Sequence, residues 1–384
     1  MSMGSGLGAA ALLAWGVLLF GRGRFWRIES DPPPAAPAAW PGVVAVIPAR
    51  DEAEGVGETV TSLLSQDYPG RFAVVLVDDH STDGTAEVAR RAAAALGQAE
   101  RLTVISGQPL PPGWTGKVWA MEQGLAAARA QAPEAEYVLF TDADIHHAPG
   151  QVRDLVARAI AGGTDLTSLM VRLHCATLPE RTLIPAFVYF FRMLYPFRWI
   201  ADPHRREAGA AGGVMLVRAA ALEGLGGMAA LQGALIDDCT LARRLKDRGG
   251  RLWLGLAEET RSLRVYRGWG EPWNMIARSA YDQLGHSPAL LAGCVAALLL
   301  IFAAPPLLTL TGGSGAWEGA LAWAAMTGSY VPMVRFYRLP LWWAPLLPLV
   351  AMIYLGATIH SALRYHAGRG GQWKGRVEAG RAGR

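Results

Sequence analysis

Between Val43 and Leu173 short apolar runs alternate with longer stretches whose apolar residues recur at helical spacing, the pattern a βαβ-type domain requires. The runs predict strands at 43–47, 72–77, 102–105, 137–140 and 166–173, with helices between them at 52–66, 82–95, 117–130 and 151–161. Two other regions are apolar without strand-length punctuation. The first twenty residues carry no charge and end in Gly21-Arg22-Gly23-Arg24-Phe25-Trp26-Arg27. That is the length of a transmembrane helix with a basic carboxyl-side flank, which predicts an anchor followed by a cytoplasmic domain. A cleaved signal peptide would need its charge before the apolar core and a small-residue cleavage site after it, and neither is present. Beyond Ser287, the stretches 288–310, 317–334 and 341–363 are long and nearly uncharged, and read as three further spans. Three crossings from the cytoplasm would place the basic tail outside, against the positive-inside tendency, so one of these segments is expected to be re-entrant or interfacial. The aromatic-rich stretch 183–200 reads equally as an interfacial helix framing a lipid acceptor or as a buried helix, shortened by Pro185 and Pro196.

The resulting organisation is an anchor at 1–27, a Pro/Ala-rich linker at 28–41, an α/β domain at 42–286, a membrane region at 287–363 and a basic tail at 364–384. With 384 residues, 52% of them hydrophobic, the chain is long enough for one sizeable soluble domain and a membrane part. The net charge of +4 is small, its basic residues lie near the membrane-like segments, and no nucleic-acid-binding signature stands out. Cys175, Cys239 and Cys294 have no paired or metal-type spacing, which fits a reducing compartment.

In an open α/β sheet, ligands gather beyond the carboxyl ends of the strands. Three strand ends here are acidic. The first runs into Pro48-Ala49-Arg50-Asp51-Glu52, the second into Asp78-Asp79-His80-Ser81-Thr82-Asp83-Gly84-Thr85, and the fourth into Thr141-Asp142-Ala143-Asp144-Ile145-His146. In an extended backbone Asp142, Asp144 and His146 share one side, and two carboxylates with an imidazole can hold a divalent cation against a phosphate. Ser81, Thr82 and Asp83 read at least as well as helix caps, whereas Asp78 and Asp79 are placed to accept hydrogen bonds from a base or ribose. Lys117 follows a glycine-containing turn at a helix start, where a cation can meet a diphosphate, although a surface lysine is an equal reading. Gly212-Gly213-Val214-Met215 suggests a tight backbone approach. Asp237 and Asp238 precede a helix and read either as its caps or as the carboxylate that removes an acceptor proton.

In order and spacing, these segments between Val43 and Leu284 resemble the family 2 glycosyltransferases with a GT-A fold. The stretches Gly113 to Gly124 (GWTGKVWAMEQG) and Glu271 to Leu284 (EPWNMIARSAYDQL), with spans at both ends, resemble the membrane-bound hopanoid-associated branch. The resemblance implies a Rossmann-like mixed sheet with flanking transmembrane helices. It implies nucleoside contacts at Asp51 or Glu52 and at Asp79 with Asp78 close by, a metal and diphosphate motif at Asp142 and Asp144, and His146 as a third ligand of Mg2+ or Mn2+. Asp238 matches the family's catalytic base and Asp237 its variable partner. Processive members carry a Gln/Arg-x-x-Arg-Trp motif after the base. The chain has Arg278-Ser279-Ala280-Tyr281-Asp282 there, which argues against polymerisation and leaves Arg278 as a diphosphate-neutralising residue.

The expected protein is an inverting, metal-dependent enzyme that moves one sugar from a nucleotide donor, UDP-linked by the resemblance, to a lipid hydroxyl. It is expected in a bacterial inner (cytoplasmic) membrane, multi-pass, with its catalytic domain in the cytoplasm and no nucleic-acid partner. A processive polysaccharide synthase and a non-catalytic nucleotide-sensing membrane protein are the alternatives.

Overall fold

The computed structural model describes residues 2–29 and 31–368, and the backbone of 372–373 and 376–377. Most of the expected basic tail beyond 368 therefore lies outside the described residues. The chain forms two compact units: residues 31–174 and 199–264 make a sheet unit, and residues 2–29, 175–198 and 265–368 make a helical unit. The stretch expected as one transferase domain, 42–286, thus contributes 175–198 and 265–286 to the helical unit.

The sheet unit is built on eight strands: β1 (Val43–Ala49), β2 (Phe72–Asp78), β3 (Leu102–Ser106), β4 (Tyr137–Thr141), β5 (Ile145–His146), β6 (Leu166–Arg172), β7 (Val214–Arg218) and β8 (Leu252–Ser262). Their order is β3-β2-β1-β4-β7-β6-β8-β5. The first four are parallel, β7 runs antiparallel to both β4 and β6, and β8 is parallel to β6 and antiparallel to β5. Every residue of β1 is buried, as expected of a central parallel strand covered on both faces, and this is why it reads as one apolar run. The helices Val56–Leu64, Thr85–Ala95, Gly116–Gln131 and Gln151–Gly162 follow the expected pattern. Gly116–Gln131 packs against β1 and β2 through Gly124, where a Cβ would come within 2.4 Å of Val46 Cγ1. Glycine lets the helix backbone approach the sheet that closely.

The strand pattern misses β5, β7 and β8. β5 has only two residues, and β8 carries Glu258 and Glu259 in its exposed middle, so neither presents a recognisable apolar alternation. β7 begins directly after Gly212-Gly213, which the sequence marks only as a close backbone approach.

In the helical unit, the stretches long and apolar enough to cross a membrane are Met3–Gly21, Pro288–Thr311 and Leu341–His366. The expected span at 317–334 forms the helix Ala316–Phe336, packed beside Met3–Gly16 and Ala304–Thr311. Ser2 Oγ donates to Ser314 Oγ at 2.6 Å and Trp15 Nε1 donates to the Ile301 carbonyl at 2.9 Å, so the amino-terminal helix lies along the pair joined at 312–315. The expected span at 341–363 forms part of Leu341–His366, and it begins by running back along Ala316–Phe336. It leaves Ala316–Phe336 through a Leu339 N–H bond to the Val334 carbonyl, and its 3-10 turn Leu341–Leu346 runs back until Trp323 Nε1 donates to the Pro345 carbonyl. The helix Leu347–His366 then returns to the end where Pro288 begins, with Ser361 Oγ accepting from Tyr281 N–H and Arg364 donating to Asn274 Oδ1. Pro340, Pro345 and Pro348 deny N–H donors to a single continuous helix and favour the break.

The aromatic stretch forms Leu178–Leu194, which starts with a Thr177/Glu180 capping box and runs unbroken through Pro185. The expectation that Pro185 shortens it is therefore corrected, while Pro196 does lie beyond its end. Leu183, Ile184, Ala186, Val188 and Tyr189 are buried, and Tyr189 bonds Ser329 across the helical unit. Glu180 is fully buried and satisfied: its carboxylate accepts from the N–H groups of Ala176, Thr177 and Tyr266.

Candidate active site

The parallel strands deliver their acidic ends to one edge of the sheet. Asp79 is buried at the end of β2, with Oδ2 3.4 Å from Arg50 Nη1 and Oδ1 3.2 Å from His80 Nδ1. Asp78 caps its own turn by accepting from Ser81 N–H. The loops after β1 and β2 interlock: Asp51 N–H donates to Ser81 Oγ, Glu52 N–H to Thr85 Oγ1, Ala53 N–H to Asp83 Oδ2, and Thr82 N–H to Asp51 Oδ1. Asp51 and His80 both sit at positive φ, 49° and 57°. Such backbone costs about 1–2 kcal/mol per non-glycine residue and collects where surrounding contacts fix a functional loop. Asp83 also accepts from Thr85 N–H, so the capping reading holds for that residue.

The second half of the site gathers around Lys117, in the first turn of Gly116–Gln131. Its Nζ lies 2.9 Å from Asp142 Oδ1, just past β4, and 3.3 Å from Asp237 Oδ2. Asp237 opens the helix Asp237–Asp247, and its Oδ2 accepts no hydrogen bond, so the lysine contact there is an ion pair alone. Burial alone would lower the ammonium, but Asp142 and Asp237 outweigh it and hold Lys117 charged well above its ordinary range. Asp238 lies in the first turn of that helix and satisfies one of its free N–H groups. Its Oδ2 accepts from Gly212 N–H at 2.8 Å and its Oδ1 from Cys239 N–H at 2.6 Å. Burial, followed by the charge of Asp237, pushes Asp238 up to about 6 despite the opposing pull of Lys117 and the two N–H donors. Burial likewise raises Asp142 against the pull of Lys117. A Cβ on Gly212 would lie 3.2 Å from Lys117 Nζ and 3.3 Å from Asp238 Oδ2, so glycine lets the lysine and the carboxylate close on this backbone.

The expected triad of Asp142, Asp144 and His146 does not share one side. The chain turns at Ala143–Asp144 before re-entering the sheet as β5, so the alternation of a continuous strand does not apply. Asp142 faces Lys117, Asp144 meets Arg264 Nε at 2.9 Å, and His146 Nδ1 meets Glu58 Oε1 at 2.7 Å. Among the described residues, no group of three or more His, Cys, Asp or Glu side chains gathers to hold a metal ion. Arg278 stands in the last turn of Gly270–Ser279, in the helical unit.

Sequence reasoning missed Arg264 and its second contact, Glu52 Oε1 at 3.1 Å, because it follows the unrecognised strand β8. It also missed the buried His147, whose ring joins Thr141 and Gln151 beneath the Asp142 turn and which burial pushes down to about 3. A neutral imidazole there supports the turn.

Residues 44–225 match the family described as Glycosyl transferase family 2. The match spans just under half of the chain and supports a glycosyltransferase domain there. The solved mannosyltransferase PcManGT from Pyrobaculum calidifontis, in complex with GDP-Man and Mn2+, is similar over 94% of this chain and 98% of its own, at 21% identity and a TM-score of 0.55. Glucosyl-3-phosphoglycerate synthase from Mycobacterium tuberculosis, in complex with Mg2+ and uridine-diphosphate, is similar over 64% of this chain and 79% of its own, at 19% identity and a TM-score of 0.41. S. aureus TarS 1–349 in complex with UDP-GlcNAc covers 85% of this chain and 92% of its own, at 17% identity and a TM-score of 0.38. No curated protein sequence matches the chain. The glycosyltransferase fold is GT-A, as the mixed sheet and the first of these structures show.

By type, Asp142 and Asp144 are the hard oxygen donors that Mg2+ or Mn2+ takes together with phosphate oxygens and water, and here they turn to different partners. Both carboxylates already contact cationic side chains, so this part of the site favours positive charge. His146, turned to Glu58, is not placed with them.

Proposed function

We propose that this glycosyltransferase moves a single sugar from a nucleotide-linked donor to the hydroxyl of a membrane lipid, with inversion. The observation that carries the reading is Asp238: a carboxylate fixed by two N–H donors, raised toward neutrality, and neighbouring the Lys117–Asp142–Asp237 cluster of a family 2 domain. A general base works best when its pKa lies near the working pH. The acceptor oxygen attacks the anomeric carbon, the bond from that carbon to the diphosphate oxygen breaks, and the acceptor proton passes to Asp238. Lys117 neutralises the leaving diphosphate, while Asp78, Asp79, Asp51 and Glu52 line the loops where the nucleoside would bind. Asp142 and Asp144 would hold Mg2+ or Mn2+, which when bound supplies further charge against the diphosphate.

A lipid acceptor is supported by the helical unit. The ends bearing Arg22, Arg24 and Arg27, then Arg335 and Arg338, then Arg364, lie on one side once 341–366 doubles back. That arrangement removes the conflict with the positive-inside tendency and supports a multi-pass protein whose basic ends face the cytoplasm. A hopanoid-related acceptor is supported by the resemblance of 113–124 and 271–284. Membranes carrying the chain, incubated with labelled nucleotide sugars and lipid extracts, should yield a labelled lipid of one added sugar, and EDTA should suppress it. A ladder of products, or no product from any donor and lipid pair, refutes the reading.

A further inference from the structure

The backbone that presents the Gly212 N–H to Asp238 is held from both sides by buried hydroxyls. On one side Ser168, in β6, accepts from Ala211 N–H at 2.9 Å and shares its proton between the Ala211 and Val214 carbonyls at 3.1 and 2.9 Å. On the other side Thr141, the last residue of β4, donates to the Gly213 carbonyl at 2.7 Å. Both side chains are buried. Gly212 lies between these anchors, and its N–H meets Asp238 Oδ2 at 2.8 Å.

Behind Thr141 stands a chain of buried polar groups that the transfer step does not use. His147 Nε2 lies 3.1 Å from Thr141 Oγ1, His147 Nδ1 lies 3.1 Å from the Gln151 amide, and that amide meets Thr260 Oγ1 at 2.5 Å. A hydroxyl has one proton to donate. Thr141 gives it to Gly213, so its oxygen takes the Nε2–H of His147, and the neutral ring keeps Nδ1 as an acceptor. The Gln151 amide nitrogen is buried without a partner when the amide oxygen faces the ring. A half-turn of the amide gives that nitrogen two acceptors, His147 Nδ1 and Thr260 Oγ1. A buried chain satisfied in this way is rigid, whereas apolar side chains of the same volume would fill the space without fixing the direction of the Thr141 hydroxyl.

We propose that Thr141, oriented by His147, positions the base: it fixes the Gly213 carbonyl and with it the Gly212 N–H that holds Asp238. Both are positioning residues, acting through Gly212, and the inference rests on the transferase reading above. The Gly212 bond favours the charged form of Asp238, so loosening it raises the carboxyl further and moves its ionisation to higher pH. The charged groups that act on Asp238 are Asp237 on its own helix and Lys117 from Gly116–Gln131, and a change at Thr141 or His147 replaces neither.

The test measures kcat and donor KM from about pH 5 to about pH 8, the range in which a base of this kind titrates, for the purified full chain in detergent with labelled UDP and GDP sugars and a lipid extract. The proteins compared are wild type, Thr141→Val, Thr141→Ser and His147→Phe. Thr141→Val keeps the shape of the side chain and removes the hydroxyl. It should lower kcat about tenfold, the effect of a small misplacement of a reacting group, with donor KM within about twofold of wild type. Its half-rise of kcat/KM should also move to higher pH. Thr141→Ser, which keeps the hydroxyl, should restore both readouts. His147→Phe should change them in the same direction by less, and it decides the matter if Thr141→Val shows no cooperative melting transition. A folded variant that melts earlier but keeps the wild-type half-rise and kcat shows a structural role alone and overturns the proposal. Wild type that transfers no sugar overturns the transferase reading along with it, whereas active wild type matched by Thr141→Val in kcat and half-rise overturns this inference alone.

Discussion

Replacing Asp238 by Asn separates a catalytic carboxylate from a structural one, because the two roles predict opposite changes in stability. The carboxyl is pushed up to about 6 in the fold against an ordinary value of 3.8, chiefly by burial. Between those values the folded state keeps a proton that the unfolded chain has lost, so stability falls as pH rises from about 4 through 6. A shift of about two units corresponds to at most about 3 kcal/mol of cost once Asp238 is ionised. Partial solvent access reduces that figure, and Asn loses one of two acceptors for Gly212 and Cys239 N–H, which costs about 1 kcal/mol. The net expectation is a variant as stable as wild type or about 1 kcal/mol more stable at pH 8, with that advantage gone at pH 4. Transfer should fall by about 100-fold or more, the contribution of a positioned general base. Wild-type kcat/KM should rise about tenfold between pH 5 and pH 7, since only about a tenth of Asp238 is ionised at pH 5. Initial rates with a labelled donor across pH, and melting temperatures by fluorimetry at pH 4 and pH 8, supply both readouts. Retained activity, or a stability difference that does not vary with pH, refutes the assignment.

Gly212→Ala places a methyl against Lys117 Nζ and Asp238 Oδ2, and should lower transfer about tenfold or more by displacing them, with little change in melting temperature. Full activity in that variant would show that the closeness at Gly212 is incidental. Gly124→Ala drives a Cβ into Val46 and Val77, 2.4 and 3.0 Å from their methyls, and should destabilise the sheet unit by about 1–3 kcal/mol with KM unchanged, as read by denaturant unfolding. Glu180→Ala removes the acceptor of three part-buried N–H groups and should cost about 1–3 kcal/mol, whereas Glu180→Gln, keeping one oxygen, should cost less; equal melting temperatures for both would count against the clamp.

The sequence by itself determined the elements whose signals are local. β1 to β4 and β6, with the helices between them, follow from apolar runs and helical spacing, because a strand buried on both faces and an amphipathic helix each write their period into contiguous residues. The acidic strand ends follow as well, since a parallel sheet brings its carboxyl ends to one edge. Tertiary structure decided how those side chains are partnered. The turn at Ala143–Asp144 sends Asp142 to Lys117 and His146 to Glu58, where local alternation predicts a shared face. Arg264 reaches Glu52 and Asp144 across more than a hundred residues of chain, through a strand too polar in its middle to be read as one. The doubled-back segment 341–366 has the composition of a span, and only the bonds from Trp323 to Pro345 and from Arg364 to Asn274 show its ends returning to one side. Periodicity reports which face of an element is buried; which partner it meets depends on pairings distant in sequence, and those exist only once the chain has folded.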